Sequence, residues 1–254
     1  ARWVEADHML GSASIHLTLT DESGTKTAVF SGDLGAKNAP ILKDAEPFQQ
    51  AQTVFMESTY GGRNHKPFQE TVQEFLKVLQ TAISHNGKVL VPTFAVGRAQ
   101  LLLVILAGIF RRNLLPKFPV YLDSPMAIEA TQIYRQHAEL FDDDLIRAIK
   151  EHPQEDDLNT LQATVTAEES KALNNVHGPC LIMAGAGMCN AGRILHHLRQ
   201  NLWRSETHVI FVGYQGDGTL GRRLVDGAKQ VSIFGERIAV RATIHTLGGF
   251  SAHA

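Results

Sequence analysis

The chain has 254 residues, 44% of them hydrophobic and 20% charged, with a formal net charge of −2. That length can bury the core of one large domain or two smaller ones. The charge balance lacks the overall basic excess that phosphate-backbone binding usually brings, and no apolar run reaches the ~20 residues of a membrane span.

Cys180 and Cys189 are too few for a disulfide framework, which fits a reducing, cytoplasmic setting, and no signal-peptide pattern opens the chain. Arginines cluster locally at Arg111-Arg112, at Arg222-Arg223 and around Arg193. They read as solvated helix ends that permit a nucleic-acid partner without arguing for one.

In chain order, residues 13–20 read as a strand, Asp21 to Gly24 as a turn, and Thr27 to Phe30 as the returning strand of a hairpin. A short strand from Thr53 to Met56 runs into Glu57. Then the period changes. Phe68, Val72, Phe75, Leu76, Leu79 and Ile83 recur at helical spacing, ended by Asn86-Gly87. Lys88 to Thr93 is a buried strand, Leu101 to Phe110 an apolar helix, and Val120 to Leu122 the next strand. Residues 126–176 read as mostly helical, with an acidic loop at Glu155-Asp156-Asp157.

Strand Cys180 to Met183 then leads through a Gly-rich turn to helix Arg193 to Trp203. Strand His208 to Val212 leads through a second such turn to a helix ending at Asp226. Strands Gln230 to Phe234 and Arg237 to Ile244 finish the chain. Strands alternating with helices imply crossovers and a mainly parallel sheet. The whole reads as a β-rich start, a long α/β insert and a β-rich end.

His8 and Asp33 each lie where a strand meets a Gly-bearing loop, where side chains can converge on a ligand. Imidazole and carboxylate suit zinc or manganese, but two ligands do not close a catalytic zinc site. Glu57 ends an apolar strand and opens onto a Gly loop, the position at which α/β folds place ligand groups; an N-cap or loop ion pair is the plainer reading. The Gly-rich turns 185–192 and 213–221 each precede a helix, so their N–H groups are candidates to face an anion. Neither has the Gly-Lys-Ser/Thr ending of a nucleotide-triphosphate loop. His196 and His197 are helix neighbours and cannot both face one metal. Arg98, on a first helical turn after Gly97, can reach a phosphate or serve as an ordinary surface residue.

Taken together and in this order, the segments resemble the β-CASP family of metallo-β-lactamase-fold RNA-processing nucleases. The matching stretches are Ala-Asp-His-Met-Leu-Gly-Ser-Ala around His8, Ser-Gly-Asp-Leu-Gly around Asp33 and Glu-Ser-Thr-Tyr-Gly from Glu57. They continue with Val-Pro-Thr-Phe-Ala-Val-Gly-Arg-Ala-Gln, Gly187 to Arg193, Val-Gly-Tyr-Gln and the terminal Phe-Ser-Ala-His. The resemblance implies an α/β β-CASP domain, a mainly parallel sheet flanked by helices, at 61–250. It is attached to a partial metallo-β-lactamase αββα sandwich at 1–60, which the chain re-enters at 251–254.

It further implies His8 and Asp33 as metal ligands, the latter bridging two zinc ions, and His253 as the acid that protonates the leaving oxygen, with Glu57 beside it. Ser58, His65, Arg98, Arg193 and Ser251 become candidates for contacts to the backbone of single-stranded RNA, and a homodimer is allowed. The family's His-x-His-x-Asp-His run does not occur among these residues and is expected upstream of Ala1, with a last ligand histidine beyond Ala254. The chain by itself is therefore expected to bind zinc weakly or not at all and not to cleave RNA. A non-catalytic RNA-binding or scaffold paralogue would carry degenerate motifs, yet His8, Asp33, Glu57 and His253 are intact. A small-molecule metallo-hydrolase would lack the long insert.

Overall fold

A computed structural model describes residues 1–62, 64–151 and 157–253. The chain divides into two compact units, one formed by residues 1–65, 134–152 and 252–254, the other by 66–133 and 153–251. Of the expected acidic loop, Glu155 and Asp156 lie outside the described residues.

In the first unit β1 (Arg2–Glu5), β2 (Ala13–Asp21), β3 (Gly24–Phe30) and β4 (Thr53–Phe55) make one sheet in that spatial order. β2 and β3 form the expected hairpin, paired from Ile15–Phe30 to Asp21–Gly24, and β4 adds parallel to β3. β1 is too short to stand out as a sequence pattern, yet it pairs antiparallel with β2. Val4, Val29, Ile41, Leu42, Phe141 and Leu145 are buried in this unit. Helix α4 (Asp143–Glu151) belongs to it, and Leu42 bridges to Phe141.

The second unit is built on a six-stranded sheet. Along the chain it contains α1 (Phe68–Ser84), β5 (Lys88–Pro92), α2 (Arg98–Arg111), β6 (Val120–Asp123) and the start of α3 (Pro125–Gln136), whose last residues fall in the first unit. It continues with β7 (Leu161–Ala163), α5 (Ala167–Ala172), β8 (Cys180–Ala184), α6 (Ile194–Asn201), β9 (His208–Phe211) and α7 (Leu220–Val225). It ends with β10 (Gln230–Ile233), β11 (Glu236–Ala239) and β12 (Thr243–Thr246). The sheet order is β12-β9-β5-β8-β6-β7, and every pairing in it is parallel.

All five residues of β5 and all five of β8 are buried, as strands covered by helices on both faces require. One side of that core joins Leu90, Ile182, Ile194, Leu198, Val209 and Phe211. Elsewhere Phe250 meets Phe75 and Phe68 edge-on, with centroids 5.9 and 5.8 Å apart. The apolar period of α1 is thereby accounted for, since Phe75 and Leu79 are fully buried.

Two expectations need correction. The stretch Arg237 to Ile244 is not one strand: β11 pairs back on β10, whereas β12 joins the large sheet beside β9. Between them the Arg241 and Ala242 N–H groups both donate to Leu202 O, which turns the chain with no Gly or Pro to mark the break. The mostly helical reading of 126–176 also misses β7, a three-residue strand paired with β6. Three residues are too few to display a period of two.

Candidate metal and proton-transfer site

After β1 the chain makes a tight loop through Asp7, a non-glycine residue at φ 61°, to His8. Ser12 closes the loop: its Oγ accepts from the His8 and Met9 N–H groups at 3.1 and 3.2 Å. This is the short hydroxyl-to-backbone bonding that lets serine stabilise turns. After β3, Ser31 ties the next two loops together. Its carbonyl accepts from Ser14 Oγ at 2.6 Å, and its own Oγ accepts from Glu57 N–H at 3.0 Å. Gly32 at φ 59° then turns the chain into Asp33. Three strand ends thus deliver His8, Asp33 and Glu57 to one edge of the first unit.

His253 completes the group. Gly35 bridges to His253, Asp7 bridges to Leu34, and Gly35 N–H donates to Ala6 O at 2.7 Å. The His8 and His253 rings lie 4.4 Å apart, tilted by 56°. His253 Nδ1 is 3.0 and 3.1 Å from the two Glu57 oxygens, across 196 residues of chain. Burial pushes the Glu57 carboxyl up. Hydrogen bonds from Thr59, the Leu34 N–H and His253, with the His253 charge, outweigh it and bring the group down to about 2. Glu57 is therefore an anion at neutral pH, suited to hold Nδ1–H of the imidazole and fix its tautomer.

One ligand atom each from His8, Asp33 and His253 all lie within 4.8 Å of one another. Two imidazole nitrogens and a carboxylate oxygen form a donor set that fits zinc or manganese. Buried next to them is Asp7, whose carboxyl oxygens have no hydrogen-bond partner among the described residues. Burial first, then the charges of Asp44, Glu5 and Asp142, pushes that carboxyl up to about 7. The motif reading did not single out Asp7; a carboxylate directly before a candidate ligand was the available signal.

The candidates for substrate contact fall in both units. Ser58 is exposed in the first unit and its carbonyl caps a turn to Gly61 N–H at 3.0 Å. His65 stacks on Tyr60 with centroids 3.8 Å apart. Arg98, Arg193 and Ser251 belong to the second unit. Arg98 is 9% exposed on the first turn of α2. The Arg193 guanidinium donates to Asp123 Oδ1 at 2.7 Å and to the Thr164 and Val165 carbonyls at 2.9 and 2.7 Å. His197, the buried member of its pair, lies with Nε2 2.6 Å from Asp123 Oδ2. Thr164 and Ser170 also donate to this carboxylate, at 2.5 and 2.6 Å. Asp123 was not among the candidates, although an acidic residue closing a buried strand is a readable signal.

The two Gly-rich turns bond largely to themselves and to each other. Ala186 N–H donates to Ala191 O, and Gly221 N–H to Met188 O. The Gln215 amide donates to the Gly187, Gly213 and Tyr214 carbonyls at 3.0, 3.2 and 3.1 Å. Cys180 and Cys189 are buried thiols. No helix among the described residues is long and apolar enough to cross a membrane.

Comparison with known proteins identifies the family. A Beta-Casp domain is recognised over residues 99–224. The chain is 41% identical over 250 residues to a protein of Thermus thermophilus named as a ribonuclease, covering 98% of this chain and 57% of the relative. It is 33% identical over 259 residues to the transcription termination factor FttA of Methanosarcina mazei, covering 98% of this chain and 40% of the relative. An RNase J-like protein of Methanocaldococcus jannaschii is 31% identical over 255 residues, covering 99% of this chain and 57% of the relative. The chain thus spans roughly half the length of these relatives.

Proposed function

Because the chain belongs to the β-CASP family of metallo-β-lactamase-fold RNA nucleases, we propose that it carries part of the active site of a ribonuclease that hydrolyses phosphodiester bonds in single-stranded RNA with two zinc ions. The observation that carries this reading is the Glu57–His253 pair, at 3.0–3.1 Å, beside the ligand atoms of His8 and Asp33. Zinc bound there would supply an activated water and positive charge against the scissile phosphate.

The chain's own residues do the rest. Asp33 and His8 would hold the metal. Glu57 accepts Nδ1–H of His253 and so presents Nε2 as the nitrogen that carries the proton for the departing oxygen. In this reading residues 1–60 and 251–254 belong to the nuclease region and 61–250 form the β-CASP insert. Ser58, His65, Arg98 and Ser251 remain the candidates for holding the RNA backbone. Arg193 is a further candidate, and through Asp123 and two carbonyls it also holds its Gly-rich turn.

The test uses the full-length protein and a labelled single-stranded RNA. His253→Ala should lower the cleavage rate by about 10²–10⁴. Glu57→Gln should lower it less, because the imidazole loses its holder rather than its proton. Chelation should abolish cleavage and zinc restore it. Undiminished cleavage after chelation, or by the His253→Ala protein, would overturn the reading.

A further inference from the structure

A second site lies wholly within the second unit. At the carboxyl ends of β5, β6 and β8 there is a cavity of about 510 Å³, lined by the loop after β5, the start of α3 and the first Gly-rich turn. Ligands of open parallel sheets collect at such strand ends, and the volume suits a small organic molecule. Its wall is the ring of Phe94. A Cβ at Gly187 would stand 2.9 Å from two of the ring carbons, so a glycine is what lets the turn lie against it. The ring is nevertheless 46% exposed. Tyr214, on the loop after β9, and Met126, in the first turn of α3, are 51% and 65% exposed. Phe94 and Met126, both in the lining, thus hold large hydrophobic side chains out in water, an arrangement that monomers use for binding rather than stability.

Charge selects among occupants. The one cation among the described lining residues, Arg193, has its charge balanced by Asp123 and also donates to the Thr164 and Val165 carbonyls, and Asp123 itself is a saturated anion. The N–H groups of Ala186 and Cys189 close the turn on itself. These groups offer a phosphate no unbalanced positive charge. What is offered is an aromatic face over glycine backbone, with Ser124 at the edge. Ser124 Oγ accepts from Ala127 N–H at 3.3 Å, and a hydroxyl that accepts there still has its proton to give.

We propose that this cavity is a nucleobase site, in which one base of a single-stranded RNA stacks on Phe94 and meets Ser124 at its edge, away from the scissile phosphate. The identity of the strand rests on the RNA reading above; the stacking chemistry does not. Such contacts accept any base, because every base has a π face.

The test takes the full-length protein through two measurements. In saturation-transfer NMR, adenosine and uridine should receive signal from wild-type protein. They should lose it with Phe94→Ala and Gly187→Ala and keep it with Phe94→Tyr. In a binding assay with an RNA decamer, Phe94→Ala should weaken affinity about tenfold, whereas a decamer with abasic positions should bind both proteins alike. If the nucleosides receive no signal, or if Phe94→Ala leaves both measurements unchanged, the proposal fails. It also fails if inorganic phosphate displaces the nucleosides in a manner that requires Arg193. If nucleosides bind through Phe94 but RNA is neither bound nor cut, the nuclease reading falls and the base site stands.

Discussion

At Gly35 there is no room for a side chain. A Cβ there would sit 2.2 Å from Asp7 O and 2.3 Å from Asp7 C, both backbone atoms that cannot swing aside. The same residue donates to Ala6 O and bridges to His253, so it presses the His8 loop against the segment that holds the opposing histidine. Gly35→Ala should therefore separate His8 from His253. The expected outcome is a stability loss of about 1–3 kcal/mol, the usual result of overfilling a packed position, together with weaker zinc binding. Thermal unfolding and a calorimetric zinc titration of this variant of the full-length protein check both. Unchanged zinc affinity would mean that the His8 loop does not hold the ion.

The site is a convergence that sequence order alone does not display. Ser31 Oγ, the Leu34 N–H and Gly35 set the distances among His8, Asp33, Glu57 and His253. None of those three is chemically conspicuous. The four candidate residues were legible as residue types in characteristic segments; their supports were not.

Among the elements, β6 is the one most dependent on a single polar residue. Asp123, at its end, is fully buried and satisfied by Thr164, Ser170, Arg193 and His197. These partners come from the stretch after β7, from α5, and from the start and middle of α6, so one carboxylate ties several segments to the sheet. Asp123→Ala leaves a buried imidazole and a half-buried guanidinium without their anion and should cost about 3–5 kcal/mol in urea unfolding. Burial pushes this carboxyl up, but the hydrogen bonds from His197, Ser170, Thr164 and Arg193 outweigh it and hold it well below the usual range. The folded state thus prefers the anion. The contribution is complete above the unfolded value near 3.8 and declines as pH falls through the depressed folded value.

The same element scale explains what the sequence displayed. β5 and β8 are continuous apolar runs with both faces buried, and α1 repeats its apolar residues at helical spacing, so each was legible. The separation of β11 from β12 was not, because backbone bonds to Leu202 O impose it and no turn residue signals it. The β10–β11 hairpin turns through Phe234 at φ 51° and Gly235 at φ 81°. That is a two-residue turn whose first position usually carries Asn or Gly.

For the molecule as a whole, acid stability should turn on a histidine pair where β12 meets β9. His208 Nδ1 and His245 Nε2 are 2.9 Å apart with the rings stacked, 5.2 Å between centroids. One nitrogen must donate and the other accept, so the contact requires at least one neutral ring. Burial, then the charge of His208, brings His245 down from 6.5 to about 4. Burial and the nearby His85 lower His208 as well. The unfolded chain therefore takes up protons below about pH 6.5 that the folded chain refuses until about pH 4. Stability is full above that window and falls as pH drops through it, by about 2–3 kcal/mol once partial exposure is allowed for. Other groups titrate nearby, Glu57 and Asp123 at lower pH and Asp7 in the opposite sense, so the informative quantity is a difference between proteins. Urea unfolding of wild type and His245→Gln at pH 7, 6, 5 and 4 isolates it. The variant should be the less stable of the two at pH 7, where it lacks the stacked pair, and should lose less on acidification. Parallel pH profiles would show that the pair is not what limits the acid tolerance of this fold.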